Sequence, residues 1–151
     1  MEYYSLAIIF LKQVGPFQAA PLFSTLFLPP ICILMKKFYH LGNCTTCQAI
    51  IKETRVDQAG FIMQDIKTEP ITPAQLDDMK KLAGSYEALF SRRAMKYKEM
   101  GLKDKQLLEK DYRRLILEEY TFLKRPVAII SNQVFIGNDK KTVAALAKAV
   151  V

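Results

Sequence analysis

The chain has 151 residues, of which 50% are apolar and 25% charged, which excludes a disordered protein and favours one domain with a hydrophobic core. Its net charge of +7 is spread over scattered lysines and arginines without a DNA or RNA recognition motif, so we expect no direct nucleic-acid binding. Three cysteines are too few for a disulfide scaffold and fit a reducing compartment, which predicts a cytoplasmic location.

Residues 1–34 differ in composition from the rest of the chain. Gln13–Leu34 carries no charge, so a membrane or export segment has to be considered. A long helix there would be interrupted by four prolines, Pro16, Pro21, Pro29 and Pro30. Met35-Lys36-Lys37 leads directly into the first predicted strand, so we favour an over-extended start upstream of Met35 or a flexible segment, with an extension docked on the domain as a further alternative. We place the folded domain at 35–151 and expect no membrane partner.

From Met35 the sequence alternates between strand and helix patterns. A strand is predicted over 36–40, a helix over 45–56, and a second strand over 60–66 whose successive side chains face opposite sides. A further helix begins after Thr72, which caps it, and Gly84 ends it. Its predicted inner face consists of Leu76, Met79, Leu82 and Ala83.

The second half predicts a helical region followed by a hairpin and a final helix. A long helix is expected over about 104–124, and Arg125-Pro126 ends it because the residue before a proline avoids helical ψ. Two short apolar strands follow, 127–130 and 133–136, joined by a two-residue turn. The expected buried residues of these segments are Leu89, Phe90, Met95, Tyr97, Leu108, Tyr112, Leu115, Ile116, Leu123, Val143, Leu146, Ala147 and Val150.

Two cysteines in a C-x-x-C motif, Cys44 and Cys47, stand where the first predicted strand turns into the first helix. Free backbone N–H groups and the helix dipole favour an anion at such a position, so Cys44 is expected to ionise easily. Cys47 lies one helical turn further on the same face, within reach of a disulfide. The pattern indicates a reactive dithiol, and a βαβ unit beside C-x-x-C is typical of a thioredoxin-like redox domain.

Two other interpretations of these cysteines are open. They could simply fill space at a helix start. They could also bind zinc with two further ligands, Cys32 and His40. A zinc site would normally have a second closely spaced ligand pair, which the sequence lacks, so we expect no metal.

Several motifs together resemble the arsenate reductase (ArsC) family, which includes the Spx-type regulators. The motifs are Tyr39-His40 before Cys44, Thr72-Pro73, Tyr97-Lys98-Glu99-Met100-Gly101-Leu102, Leu123-Lys124-Arg125-Pro126-Val127 and Ile136-Gly137. The resemblance implies an α/β fold: a thioredoxin-like mixed sheet (βαβ … ββα) with a helical insertion between its halves. It also implies a cis peptide bond before Pro126, on the side of the redox cysteine.

The resemblance further assigns residues to a site. Cys44 matches the family's nucleophile, Arg125 matches an arginine that binds the oxyanion, and His40 matches a histidine near the nucleophile. The amides of Thr45 and Thr46 at the helix start, together with Arg92 and Pro126, complete the expected substrate-binding set.

The sequence also departs from the arsenate-reducing pattern. Ser91 and Phe135 stand where that pattern has two further arginines, and neither can supply bidentate recognition of an oxyanion. Cys47 is also outside that pattern and instead matches the C-x-x-C of Spx-type and thiol-reductase-like members.

The expected function is a thiol–disulfide or oxyanion reductase in which Cys44 attacks and Cys47 resolves. No bound cofactor is expected, and an external thiol such as glutathione, glutaredoxin or thioredoxin would act as reductant. The alternative is an Spx-like redox sensor that binds RNA polymerase. The net charge does not decide between the two.

Overall fold

A mixed sheet of four strands forms the centre of residues 35–150, the part of the chain that the computed structural model describes. The strands are β1 (Lys36–His40), β2 (Ile62–Asp65), β3 (Val127–Ile130) and β4 (Gln133–Ile136). Their order is β2-β1-β3-β4, with β2 parallel to β1 and both other pairs antiparallel. The predicted mixed sheet is confirmed.

The helices follow the predicted βαβ … ββα order, with a helical insertion between β2 and β3. They are α1 (Thr45–Thr54), α2 (Pro73–Ala83), α3 (Tyr86–Leu89), α4 (Met95–Glu99), α5 (Glu109–Glu118) and α6 (Lys140–Val150), with 3₁₀ turns at Leu102–Asp104 and Tyr120–Phe122. Among the helices of residues 35–150, none combines the length and apolar character needed to cross a lipid bilayer. The predictions for residues 1–34 lie outside the described residues.

Both faces of the sheet are covered by apolar side chains because neighbouring residues of a strand point to opposite faces. Phe38 of β1 lies in a cluster with residues of α1 and α6, whereas Tyr39 lies in a cluster with residues of α2 and α5. Phe90 belongs to the second cluster, where its ring stacks on Phe122 with centroids 5.0 Å apart. The insertion is therefore packed on one face, and α1 with α6 on the other.

The predicted long helix over 104–124 is wrong in extent. Leu108 has an extended backbone (φ −94°, ψ 165°), and its N–H donates to the carboxylate of Asp111 (3.0 Å), so α5 begins only at Glu109. Glu119 is extended again (φ −143°, ψ 108°), which ends α5 before the 3₁₀ turn. Leu108 is 58% exposed and Met95 80% exposed, so their predicted burial is wrong as well.

Smaller differences concern the ends of two elements. α1 ends at Thr54 rather than at residue 56, because Arg55 adopts a left-handed conformation (φ 53°). β2 covers Ile62–Asp65, shorter than the predicted 60–66. The predicted cap of α2 at Thr72, its end at Gly84, the hairpin and the buried Val143 and Leu146 of α6 are confirmed.

A buried amide pair ties the start of α2 to β2. The hydroxyl of Thr72 accepts the N–H of Gln75 (3.2 Å), and Oε1 of Gln75 accepts the N–H of Thr72 (3.0 Å). Nε2 of Gln75 also donates to Oε1 of Gln64 (3.1 Å), a β2 side chain that is 2% exposed. Gln75 therefore caps the helix and satisfies a buried polar group at once.

We expect Gln75→Ala to lower the free energy of unfolding by about 2 kcal/mol, against about 1 kcal/mol for Thr72→Ala. The larger loss arises because Gln75→Ala also leaves the buried Oε1 of Gln64 without its partner. Urea denaturation would measure both values. Gln58→Ala, at an exposed position after α1, is the control and should change stability by less than about 0.5 kcal/mol. Equal losses for the Gln75 and Thr72 variants would contradict the coupling to Gln64.

Candidate active site

Cys44 lies at the junction between the sheet and α1. Its N–H donates to the carbonyl of Leu41 (3.0 Å), which closes a tight turn after β1, and its carbonyl accepts the N–H of Gln48 (3.0 Å). Its own backbone is extended (φ −92°, ψ 110°), so it is the N-cap residue of α1. The side chain is therefore next to the backbone N–H groups of the first turn, which have no partner within the helix.

The surroundings of Cys44 favour the thiolate. Partial burial alone would raise the pKa of its thiol, but the nearby backbone N–H of Cys47, the thiol of Cys47 and the backbone N–H of Thr46 all lower it. The positive charge of Arg125 acts in the same direction. Together they hold the pKa of Cys44 below its ordinary value. The stabilising amides are those of Thr46 and Cys47, whereas the sequence suggested Thr45 and Thr46.

Cys47 has the opposite character. It is 0% exposed, and burial raises the pKa of its thiol to about 11, with a further contribution from the hydrogen bond to Cys44 and from the thiolate charge. The backbone N–H of Leu41 and the charge of Arg125 oppose this rise without cancelling it. Both thiols are free. When the pair loses one proton, the negative charge is therefore favoured on Cys44 and the remaining proton on Cys47.

Arg125 is brought to the thiolate by the segment that leads into β3. The Arg125–Pro126 peptide is cis, as the family resemblance implies, and the carbonyl of Pro126 accepts the N–H of Gly137 (2.8 Å). Arg125 is half-buried and forms no ion pair with any residue in 35–150. Its charge is thus directed at the thiolate and at whatever binds beside it.

An open cleft of about 820 Å³ lies next to Cys44. The cationic side chains of its lining are Arg92, Arg93, Lys124 and Arg125, against two acidic ones, Glu87 and Asp139; the other lining residues are Cys44, Thr46, Ser85, Ala88, Phe90, Ser91, Ile136, Gly137 and Asn138. The lining is therefore net positive, which favours an anionic ligand next to the reactive sulfur.

The cations of the cleft differ in how far their charges are compensated. Arg92 donates to Glu87 (2.6 Å) and to the hydroxyl of Tyr112 (3.4 Å), so its guanidinium already has protein partners. Lys124 donates to the carbonyl of Ala88 (2.9 Å), which leaves its charge unneutralised. Arg93 is exposed and makes no hydrogen bond or ion pair within the described residues, so it has its full charge available for a ligand.

The structure brings together about half of the predicted site. Cys44, Thr46, Arg92 and Arg125 line the cleft, with Cys47 beneath Cys44, whereas Thr45, His40 and Pro126 do not line it. His40 ends β1 with its ring 6.1 Å from that of Phe38, and its carbonyl accepts the N–H of Ile66 (3.0 Å).

Sequence reasoning left two cleft residues out of the site, Arg93 and Lys124. Each stands directly beside a residue that was included, Arg92 or Arg125, and that adjacency was the available signal. Of the two positions where the arsenate-reducing pattern has an arginine, Ser91 lines the cleft, whereas Phe135 packs with the cluster on the α1 and α6 side.

The zinc alternative required Cys32, which lies outside the described residues. Within residues 35–150, no three side chains of the His, Cys, Asp or Glu type come together as a metal site.

The fold is thioredoxin-like, and two cysteines with oppositely shifted pKa values lie beside a cationic cleft. The sequence profile of the ArsC family matches residues 39–146, most of the chain, and the chain belongs to the ArsC family. A comparison with curated protein sequences gave no significant match.

Solved structures of similar fold agree with this membership. An arsenate reductase from Vibrio cholerae superposes with a TM-score of 0.64 at 16% identity, covering 75% of this chain and 98% of its own. An ArsC family related protein from Bacteroides fragilis gives 0.65 at 22% identity, with the same coverage of 75% and 98%. A protein from Staphylococcus aureus gives 0.60 at 27% identity, covering 74% of this chain and 97% of its own.

The lowered pKa of Cys44 predicts rapid alkylation by iodoacetamide at pH 7, and Arg125→Gln should slow that reaction roughly threefold. Removing the positive charge raises the pKa of Cys44, so less thiolate is present at a given pH. The measurement is the rate of alkylation against pH, with the modified cysteine located by peptide mass spectrometry. Arg114→Gln, which removes an exposed arginine paired with Glu118 on α5, is the matched control. A pH profile unchanged by Arg125→Gln would contradict the contact between Arg125 and the thiolate.

Proposed function

We propose that the protein is a thiol–disulfide or oxyanion reductase in which Cys44 is the nucleophile and Cys47 the resolving thiol. The observation that carries the proposal is the unequal thiol pair at the cleft. The pKa of Cys44 is lowered at the start of α1, next to Arg125, while the pKa of Cys47 beneath it is raised. Such a pair supplies an attacking thiolate, while the second thiol stays protonated until the mixed disulfide has formed.

With a disulfide substrate, the reaction proceeds in two exchanges. The Cys44 thiolate attacks one substrate sulfur, forms a mixed disulfide and releases the other sulfur as a thiolate. This step removes the negative charge from Cys44, one of the causes that raise the pKa of Cys47. Cys47 then loses its proton and attacks the Cys44 sulfur, which releases the second substrate thiol. Two electrons pass from the dithiol to the substrate, and a Cys44–Cys47 disulfide remains.

The cleft favours a disulfide with acidic groups over a small oxyanion. Its volume of about 820 Å³ is many times that of a tetrahedral oxyanion, given that one water occupies about 30 Å³ in the liquid. Ser91 supplies no guanidinium at the position where the arsenate-reducing pattern has one, and Phe135 lies outside the cleft. Arg93 and Lys124 carry unneutralised charges that could bind carboxylates of a larger substrate.

An external thiol must restore the dithiol after each turnover. Glutathione, glutaredoxin and thioredoxin are the candidate reductants, and a reducing cytoplasm is the compartment in which they act. The protein itself supplies both sulfurs of the exchange, so the proposed cycle includes no bound cofactor.

We expect Cys44→Ser to abolish disulfide reduction, because the hydroxyl cannot replace the thiolate. Cys47→Ser should still carry out the first exchange and accumulate a mixed disulfide, which intact-protein mass spectrometry detects as an added substrate half. The matched control is Cys32→Ser, which removes a cysteine outside the described domain. Turnover retained by Cys44→Ser would contradict the assignment of the nucleophile.

The sensing alternative uses the same two thiols but differs in output. A sensor would be oxidised once and would then change its binding to RNA polymerase, whereas a reductase turns over with a coupled thiol. An assay with 2-hydroxyethyl disulfide and each of the three reductants separates the two functions. Absence of turnover together with redox-dependent binding of polymerase would contradict the reductase proposal.

Arg93→Glu should raise the KM for oxidised glutathione about five- to tenfold and leave kcat nearly unchanged, because Arg93 acts on the charge of the substrate and not on the sulfur. The KM for the neutral substrate 2-hydroxyethyl disulfide should not change. Lys103→Glu makes the same charge reversal at an exposed position outside the cleft and serves as the control. Equal effects of Arg93→Glu on the charged and the neutral disulfide would contradict recognition by charge.

A further inference from the structure

The peptide groups of Gly42, in the turn between β1 and α1, are held from two sides. Its N–H donates to Oδ2 of Asp65 (3.1 Å), at the end of β2. Its carbonyl accepts Nε2 of Gln48 (2.6 Å), in the first turns of α1. Two side chains from different elements therefore fix the orientation of the turn that leads into Cys44.

Asp65 is itself anchored in this arrangement. Its other oxygen, Oδ1, accepts the N–H of Lys67 (3.0 Å). The two carboxylate oxygens therefore accept hydrogen bonds from two different loops, one after β1 and one after β2. The carboxylate approaches Gly42 so closely that a Cβ built there would lie 2.5 Å from Oδ2. Gly42 has no left-handed backbone conformation, so the glycine is needed for space and not for its φ.

The same turn contacts both sulfurs of the dithiol. The carbonyl of Leu41 accepts the N–H of Cys44 (3.0 Å), which sets the backbone of the residue that carries the nucleophile. The N–H of Leu41 lies near the sulfur of Cys47 and lowers the pKa of its thiol. A rotation of the turn would therefore move the Cys44 sulfur away from the amides of Thr46 and Cys47 and would change the surroundings of the Cys47 sulfur.

We propose that Asp65 is a positioning residue for the dithiol, and that it acts together with Gln48 by clamping the peptide groups of Gly42. The proposal rests on Cys44 being the reactive thiol. Asp65 touches neither sulfur and takes no part in the exchange. It holds the turn in the one orientation that aims the helix amides at Cys44.

The charge of Asp65 and its positioning role predict opposite effects on Cys44. A negative charge on Asp65 near the thiolate disfavours ionisation of Cys44. If charge were its only effect, removing Asp65 would make Cys44 more reactive. As a clamp, Asp65 keeps the amides on the sulfur, so its removal makes Cys44 less reactive. The direction of the change therefore separates the two roles.

The experiment measures the rate of Cys44 alkylation by iodoacetamide against pH in the full chain, with the modified cysteine identified by mass spectrometry. Asp65→Ala should move the pH midpoint upward and lower the rate at pH 7 roughly three- to tenfold. Asp65→Asn, which keeps an acceptor oxygen for Gly42, should fall between Asp65→Ala and wild type. Asp104→Asn removes an exposed carboxylate without a hydrogen bond in the described chain and should match wild type.

A second variant covers the case in which Asp65→Ala does not fold. Gln48→Ala removes the other half of the clamp while keeping a strong helix former in α1, so circular dichroism should be unchanged and the Cys44 midpoint should still rise. A midpoint that falls or stays constant in folded Asp65→Ala, or in Gln48→Ala, overturns the positioning role. A wild-type midpoint at the ordinary cysteine value would instead overturn the proposed reductase mechanism.

Discussion

The free N–H groups at the start of α1 are the constraint on which the rest of the site depends. They can stabilise an anion only if a side chain reaches them at the correct angle, and the residue in the N-cap position is the one that does so. The extended backbone of Cys44 meets this requirement, and the N–H groups of Thr46 and Cys47 lower the pKa of its thiol. The positive charge of Arg125, just before β3, acts on the same sulfur.

The surroundings of the second thiol, Cys47, have the opposite effect and disfavour its ionisation. Cys47 is inside α1 and fully buried, so its environment penalises charge. The negative charge on Cys44 adds to that penalty, and the two thiols therefore cannot ionise independently. In the proposed reaction, binding of Cys44 to a substrate sulfur removes its charge, which lowers the pKa of Cys47. The proposed order of the two exchanges thus follows from the electrostatics of one helix turn.

Local patterns predicted most of the fold and the position of Cys44 at the start of α1, whereas the insertion and the side of the cleft formed by residues 85–93 were harder to predict. Strand alternation, the cap at Thr72 and the hairpin are encoded within a few residues each and were predicted correctly. The prediction of one helix over 104–124 was wrong because hydrophobic periodicity does not reveal that the backbone of Leu108 is extended. Nor does it reveal that the carboxylate of Asp111 accepts the N–H of Leu108. The cleft position of Arg93 depends on how residues 85–93 pair with residues 122–124, a contact between segments far apart in sequence.

The cleft is built from two parts of the chain with different roles. Cys44 and Arg125 lie in loops next to the sheet and Thr46 lies in the first turn of α1, whereas residues 85–93 belong to the helical insertion. In the proposed reductase, electron transfer and substrate choice are thus assigned to separate segments, one on each side of an open space. Exchanging residues 85–93 for another sequence would then change the substrate specificity without changing the reaction of the two cysteines. In the proposed reductase the cysteine segment thus determines the reaction, and the insertion determines the substrate.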